Sequence, residues 1–297
     1  PDDKKDDKPD DKRPPPNVKK KEFTFSAYRE LTEYEKKVDF KQIDQDFTDL
    51  EKEYTEDLAY AYRLSVNALV DEIKRKQIVE KKKFDLINNL NLKHQAKINK
   101  LIRNMLKNSM EAGQGSVTKN FIVDDPGILN DDEIAEWLTQ HAAYVSDMEA
   151  GFILGKVKPA LAEGIRAGDS VRDIMSTLDG ILKGYDINLE ANRIETLVRT
   201  NLNAGYNEGR ARQFNELSTE IQAYQYSAIL DGRTSDICTR LDKKTFKQSE
   251  LSYYNPPNHF NCRSLIVAIF KDEELVVNPP PATERDQNVG GSFLRLK

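Results

Sequence analysis

Apolar residues recur at steps of three and four through Ile43, Phe47, Leu50, Tyr54, Leu58, Tyr62, Val66, Leu69 and Ile73. That spacing draws one apolar stripe along a long amphipathic helix. Neither Gly nor Pro occurs between Asn17 and Gly113, so nothing in the sequence breaks the backbone there. The weakest point is "INNLNLKH", which crowds three asparagines into a short span. It predicts a turn near Asn88–Asn91 and a second helix running back, so that 23–112 forms a helical hairpin. Beyond it, "EAGQGSVTKNFIVDDPGILND" carries three Gly and a Pro and reads as a linker over 113–130.

A second helical region follows. Asn130 or Asp131 can cap a helix bearing Ile134, Trp137, Leu138, Ala142, Val145 and Met148, and Asp169 or Ser170 can cap another, with Asp173 placed for a capping box. His141 and His94 have no acidic or thiol partner at helical spacing and read as packed or surface residues. "NLEANRIETLVRTNLNAGYNEGRARQFNEL" is a long helix with Leu197, Val198, Leu202 and Tyr206 inward. Arg199, Thr200, Asn203 and Asn207 share its neighbouring face, as a hydrogen-bond network or as part of a site. Strand character appears only at "IQAYQYSAIL", which alternates and ends in the turn signal "DGRT", and at the β-branched "RSLIVAIF". The predicted class is α+β and mostly α: a hairpin, a helical region, and a small β-containing C-terminal module, the last two spanning 131–271. Residues 1–22, rich in Asp, Lys and Pro, and 272–297 are expected as a disordered and a flexible tail.

Composition narrows the function classes. Charged residues make up 32% of the 297 and hydrophobic ones 38%, which suits solvated helices on a modest core. A net charge of -5 does not announce a general nucleic-acid binder. No run of 18 apolar residues exists, so no membrane span is expected, and the polar N-terminal stretch lacks the apolar region of a signal peptide. Two cysteines do not make a secreted disulfide scaffold and point to a reducing cytosol. The initial Pro suggests a processed product or a piece of a longer polypeptide. One local bias stands out: eleven Lys or Arg between Lys74 and Lys107, against Glu80 and Asp85. Lys74, Arg75, Lys76, Lys81, Lys82 and Lys83 are candidate contacts for DNA phosphates or an acidic partner. An ordinary solvated helix face is the alternative, and with Phe84 the lone aromatic there, base stacking is not expected.

The candidate chemistry lies between the two strands. Three of the five His and Cys residues fall within Cys238–Cys262, as Cys238 followed by His259-x-x-Cys262. Two thiolates and an imidazole, with Asp231, Asp236 or Asp242 as a fourth ligand, suit tetrahedral zinc, which can stabilise a small β unit. Pro256 and Pro257 stiffen the approach to His259. A Cys238–Cys262 disulfide, a free thiol pair, and Cys–His nucleophilic chemistry stay open beside it.

These motifs, in their order, resemble the phage Mu F-like head morphogenesis (minor head protein) family. The matching positions are Asp231, Arg233, Thr234, Cys238, Leu241, Asp242, Pro256, Pro257, His259, Cys262 and Arg263, with Arg199, Thr200 and Asn203 in the preceding helix. The resemblance covers roughly 130–270, and "RELTEYEKKVDFKQID" looks like the N-terminal part of such proteins. Two positions depart from the pattern: Lys243 stands where Gly is frequent, and Ser264 where a second Cys is common. The resemblance implies a non-enzymatic virion protein. It would sit in the phage head interior or portal region, and in the host cytoplasm during assembly. Its implied partners are the portal, scaffold and major capsid proteins and packaged double-stranded DNA. The competing classes are a metal-dependent hydrolase or nuclease, with Cys238, His259 and Cys262 on the metal and Asp231 as base, and a toxin or effector.

Overall fold

The apolar stripe becomes helix α1 (Phe40–Arg75), opened by Asp39, whose carboxylate accepts the Gln42 N–H at 3.0 Å. The structure is a computed structural model that describes residues 30–121, 132–182, 192–230 and 234–280. The hairpin is there, but its bend is broader and earlier than the asparagines suggest. Chain 76–94 is a run of turns around the short α2 (Phe84–Asn88), with Gln77, Lys82 and His94 in the left-handed region. Lys76 and Lys81–Lys83 therefore lie in turns, not on the returning helix.

That helix, α3 (Gln95–Phe121), continues straight through Gly113 and Gly115. Residues 113–121 of the expected linker are thus helical, and 122–131 lie outside the described residues. The physical reason is packing. α3 lies against α6 (Asn192–Glu216), and a Cβ at Gly113 would meet the Tyr206 carbonyl oxygen at 2.0 Å. Gly209 answers from the other side: a Cβ there would lie 2.1 Å from the Met110 oxygen. Glycine here permits a close helix crossing and does not end a helix.

Helices α4 (Asp132–Ala167) and α5 (Val171–Leu182) complete the helical layer. Ser170 is the α5 cap: its Oγ accepts the Asp173 N–H at 3.1 Å, as in a capping box, and its hydroxyl donates to the Asp173 carboxylate at 2.6 Å. His141 is buried on α4, as a packed residue. The proposed caps Asn130 and Asp131 are outside the described residues.

Three strands form an antiparallel sheet in the order β2–β1–β3, with β1 at Ile221–Ser227, β2 at Thr245–Phe246 and β3 at Leu265–Phe270. Tyr226 lies opposite Ile266, and Tyr224 lies between Ala268 and Phe246. Both sheet faces are covered. Ala223, Leu265, Val267 and Ile269 join the large core made by α1, α3, α4, α5 and α6. Tyr224, Tyr226, Ile266 and Ala268 form a second core with Phe246, Tyr254, Cys238 and Cys262, beside α7 (Asp236–Leu241) and α8 (Leu251–Tyr254).

The hairpin is consequently no free-standing arm. It shares the first core with the helices that follow, and Arg199 on α6 makes a bidentate pair with Glu51 on α1. The turn before α1 also reaches the sheet: buried Glu35 accepts the Ser227 hydroxyl at 2.6 Å, and Thr32 donates to Gln225. The chain after 271, expected as a tail, turns at 271–273 and then lies beside β2, with Val276 and Asn278 bonded to Thr245. Thr245 donates its N–H to Asn278 O at 2.8 Å, and the Tyr34 hydroxyl donates to Glu274 O at 2.5 Å. Residues 1–29 and 281–297 lie outside the described residues. Among those described, no helix is long and apolar enough to cross a membrane.

Candidate metal centre

Two short segments converge on the second core. The first is α7, capped by Ser235, whose hydroxyl oxygen accepts the Cys238 N–H at 3.3 Å. That cap turns Cys238 inward in the first helical turn. Asp242, at the far end of α7, accepts the Ala228 N–H at 2.9 Å and fixes α7 to the end of β1. Lys243 follows with φ +59, the left-handed conformation that favours glycine. The Gly of the resembling pattern has a backbone cause here.

The second segment is the loop from Asn255 to Ser264, fastened to α6. Asn261, itself left-handed at φ +56, donates its N–H to Thr200 Oγ1 at 3.0 Å and its amide to Thr196 Oγ1 at 3.1 Å. Asn203 and Asn207 each donate a side-chain amide to Ser264 O at 3.3 Å. The polar face that the helical spacing assembles is therefore the dock for the His–Cys loop. Arg199 is the exception and faces α1.

The result is a cluster of Cys238, His259 and Cys262, whose ligand atoms all lie within 4.8 Å of one another. Cys238 Sγ is 3.2 Å from His259 Nε2 and 3.8 Å from Cys262 Sγ, far beyond the ~2.04 Å of a disulfide. Both cysteines are buried free thiols. His259 Nδ1 donates to Phe260 O at 2.7 Å, which leaves the Nε2 lone pair facing the sulfurs. A ring nitrogen held by a backbone carbonyl is the usual arrangement of a metal-ligating histidine.

The surroundings favour negative charge on the Cys262 sulfur. Burial alone would push the Cys262 thiol up. The Cys238 S–H, the backbone of Asn258 and Ser264 and the Ser264 hydroxyl outweigh it and bring Cys262 down to about 6. Cys238 moves up, because it shares its proton with Cys262 and is itself buried. For His259 burial works downward, but the Cys238 hydrogen bond prevails and raises it. The Tyr226 hydroxyl lies 3.3 Å from Cys238 Sγ and accepts the Asn258 amide at 2.6 Å. Two sulfurs, one ring nitrogen and ringing donors can hold a soft or borderline cation.

Asp231 and Arg233 lie outside the described residues. Among those described no carboxylate joins the cluster, and Asp242 is engaged with Ala228. Thr234 donates its hydroxyl to Ile229 O. Arg263 is buried, and its charge opposes protonation of His259. Residue spacing did not single out Tyr226, Asn258, Asn261 or Ser264. In the alternating strand pattern Tyr226 falls on one face with Tyr224 and Ala228, and that face packs on Cys238 and Cys262.

The basic candidates sit elsewhere, at the hairpin bend. Lys74, Arg75, Lys81 and Lys82 are exposed. Lys76 pairs with Glu72 at 2.6 Å, and Lys83 donates to Lys76 O at 2.8 Å.

Residues 155–267, from within α4 into β3, match a family model described as "Phage Mu protein F like protein". The whole Cys–His–Cys cluster and its α6 dock fall inside that span. The chain is also 26% identical over 129 residues to a protein of Escherichia phage Mu provisionally named capsid assembly protein F. That similarity covers 38% of this chain and 29% of the phage protein, less than a third of its length. No solved structure gives a significant match.

Proposed function

We propose that the chain, whose residues 155–267 match the Mu F-like family model, acts in head assembly of a tailed phage as a minor head protein without enzymatic activity. One observation carries the reading. The segment that matches the family model, 155–267, includes β1, β2, the start of β3, the α6 dock and the Cys–His–Cys cluster, so the likeness falls on a packed structural unit. The finer parts of the proposal are a place at the portal, contact with scaffold and major capsid proteins, and a basic bend facing packaged DNA. The protein would reside in the virion head or portal region and in the host cytoplasm during assembly.

The cluster's part is structural zinc, bound by Cys238, His259 and Cys262. Zinc–sulfur bonds of ~2.3 Å put the edge of a tetrahedron at ~3.8 Å. The observed sulfur separation is 3.8 Å. Zinc would supply a cross-link between α7 and the His–Cys loop, in a second core that is small. Buried sulfurs already surrounded by donors suit holding a metal better than attacking a substrate.

Elemental analysis of purified reduced protein should find near one zinc per chain. Cys262→Ser should lose it and increase hydrogen exchange across Ser264–Phe270. A metal-free wild type with two titratable thiols in denaturant rejects zinc while leaving the assembly role standing. Cryo-EM of procapsids tests that role separately: density for the chain is expected beside the portal, and its absence from particles overturns the reading.

A further inference from the structure

The two edges of the sheet are treated differently. At the β3 edge, α6 side chains cover the outward carbonyls: Asn203 and Asn207 donate to Ser264 O, and buried Arg210 donates to Ile266 O at 3.0 Å. Such covering is how proteins keep an edge from pairing with another chain. The opposite edge has no such cover. There the extended chain 275–278 lies outside β2. Val276 accepts the Thr245 hydroxyl at 3.2 Å and donates to Tyr34 Oη at 3.1 Å, while Asn278 bonds Thr245 through both backbone groups.

Alternate residues of an extended chain turn their backbone groups to opposite sides. With 276 and 278 bonded inward, Leu275 and Val277 direct N–H and C=O outward, and neither has a hydrogen-bond partner among the described residues. Their side chains are also uncovered: Leu275 is 37% exposed, Val276 62% and Val277 74%. Among the described residues this is the only consecutive run of exposed large hydrophobics.

We propose that this edge pairs with the same edge of a second copy of the chain, antiparallel about a two-fold axis at Val276. The segment is self-complementary in that register. Leu275 faces Val277 of the other copy in hydrogen-bonded pairs at both ends, and Val276 faces its own equivalent as the non-hydrogen-bonded centre. Charge selects the direction. Antiparallel pairing sets Glu274 against Asn278 and Glu273 against Pro279, whereas parallel in-register pairing stacks like acids. Pro279 and Pro280 end the ladder, since neither can donate.

Sedimentation of the full chain over a wide concentration range should reveal a reversible dimer, and Val277→Pro, which removes an outward N–H, should abolish it. Val276→Cys should cross-link to its own kind under mild oxidation much faster than Val171→Cys, a comparably uncovered residue on α5. Circular dichroism of each variant checks that it is folded. A monomer at every concentration, a dimer unchanged in Val277→Pro, or cysteine cross-linking no faster at 276 than at 171 each overturns the proposal. Cross-linking of Val276→Cys to a different head protein, with none to itself, assigns the edge to that partner and overturns self-pairing as well.

Discussion

Asn261 donates its backbone N–H to Thr200 Oγ1 at 3.0 Å, so the residue before Cys262 is anchored on α6 and not on the sheet. The candidate metal ligands on the loop are thus set by a helix that arrives some sixty residues earlier. Thr200→Val keeps the shape and removes the acceptor. It should cost about 1 kcal/mol in denaturant unfolding. Zinc affinity, measured by competition with a chromogenic chelator, should fall about tenfold, as expected for outer-shell partners. Unchanged affinity alongside lowered stability would mean that the loop holds its geometry without α6.

Lys243 is a second local test. At φ +59 it carries a Cβ in a region where L-residues are strained by roughly 1–2 kcal/mol. Its N–H still donates to Tyr226 O at 2.8 Å, a bond that glycine retains. Lys243→Gly should raise stability by up to about 1 kcal/mol, after the greater entropy of glycine in the unfolded chain is deducted. A lowered melting temperature would show that the Lys243 side chain contributes more than its backbone strain costs.

The same positions show how far the sequence could be read. The α1 stripe, the Ser170 cap and both longer strands were legible because periodicity and capping are local. The cluster Cys238–His259–Cys262 was legible from rarity and order. Its α6 dock was visible only as a polar face, because Thr200 and Asn261 meet through tertiary packing. The two-residue β2 had no pattern long enough to detect. Gly113 misled, since a glycine that admits a neighbouring helix looks in sequence like one that ends its own. Similarly, the Leu275–Val277 segment lies among Glu, Asn and Pro, and nothing local distinguishes a strap beside a sheet from a tail.

Gly113 and Gly115 therefore make a matched pair. A Cβ at Gly113 would meet backbone atoms of Tyr206, with the oxygen at 2.0 Å, and only separation of α3 from α6 would relieve it. At Gly115 a Cβ would find nothing within 4 Å. Gly115→Ala should stabilise by up to about 1 kcal/mol through helix propensity. Gly113→Ala should destabilise by about 3 kcal/mol or fail to fold, because overpacking outweighs the same gain. Equal effects at the two sites would deny the close crossing.

The basic bend yields a salt-dependent expectation. If it meets packaged DNA, affinity for a DNA duplex should fall steeply as salt rises, with a slope set by the phosphates neutralised. Replacing Lys74, Arg75, Lys81 and Lys82 with Glu should remove most of the binding. They are the exposed members of the set, while Lys76 and Lys83 are held by Glu72 and the Lys76 carbonyl. No binding at low salt by the wild type would leave the bend as a solvated surface.

His141 supplies the pH test. Burial pushes its imidazole from 6.5 down to about 4, with the Asn201 hydrogen bond opposing. Nε2 lies 3.2 Å from Asn201 Oδ1, the ring stacks on Trp137 at 4.7 Å, and buried Nδ1 has no partner. The folded state thus favours the neutral ring. Between pH 6.5 and 4 the unfolded chain binds a proton that the folded chain refuses, so stability is full above about 6.5 and declines as pH falls towards 4. The loss attributable to this group should approach about 3 kcal/mol at the acid end. His141→Gln keeps a donor for Asn201 but has no such titration. Its stability relative to wild type, from denaturant unfolding at several pH values, should improve steadily as pH drops through that window. A constant difference from pH 7 to pH 4 would mean that His141 is protonated in place, and that its burial does not resist charge.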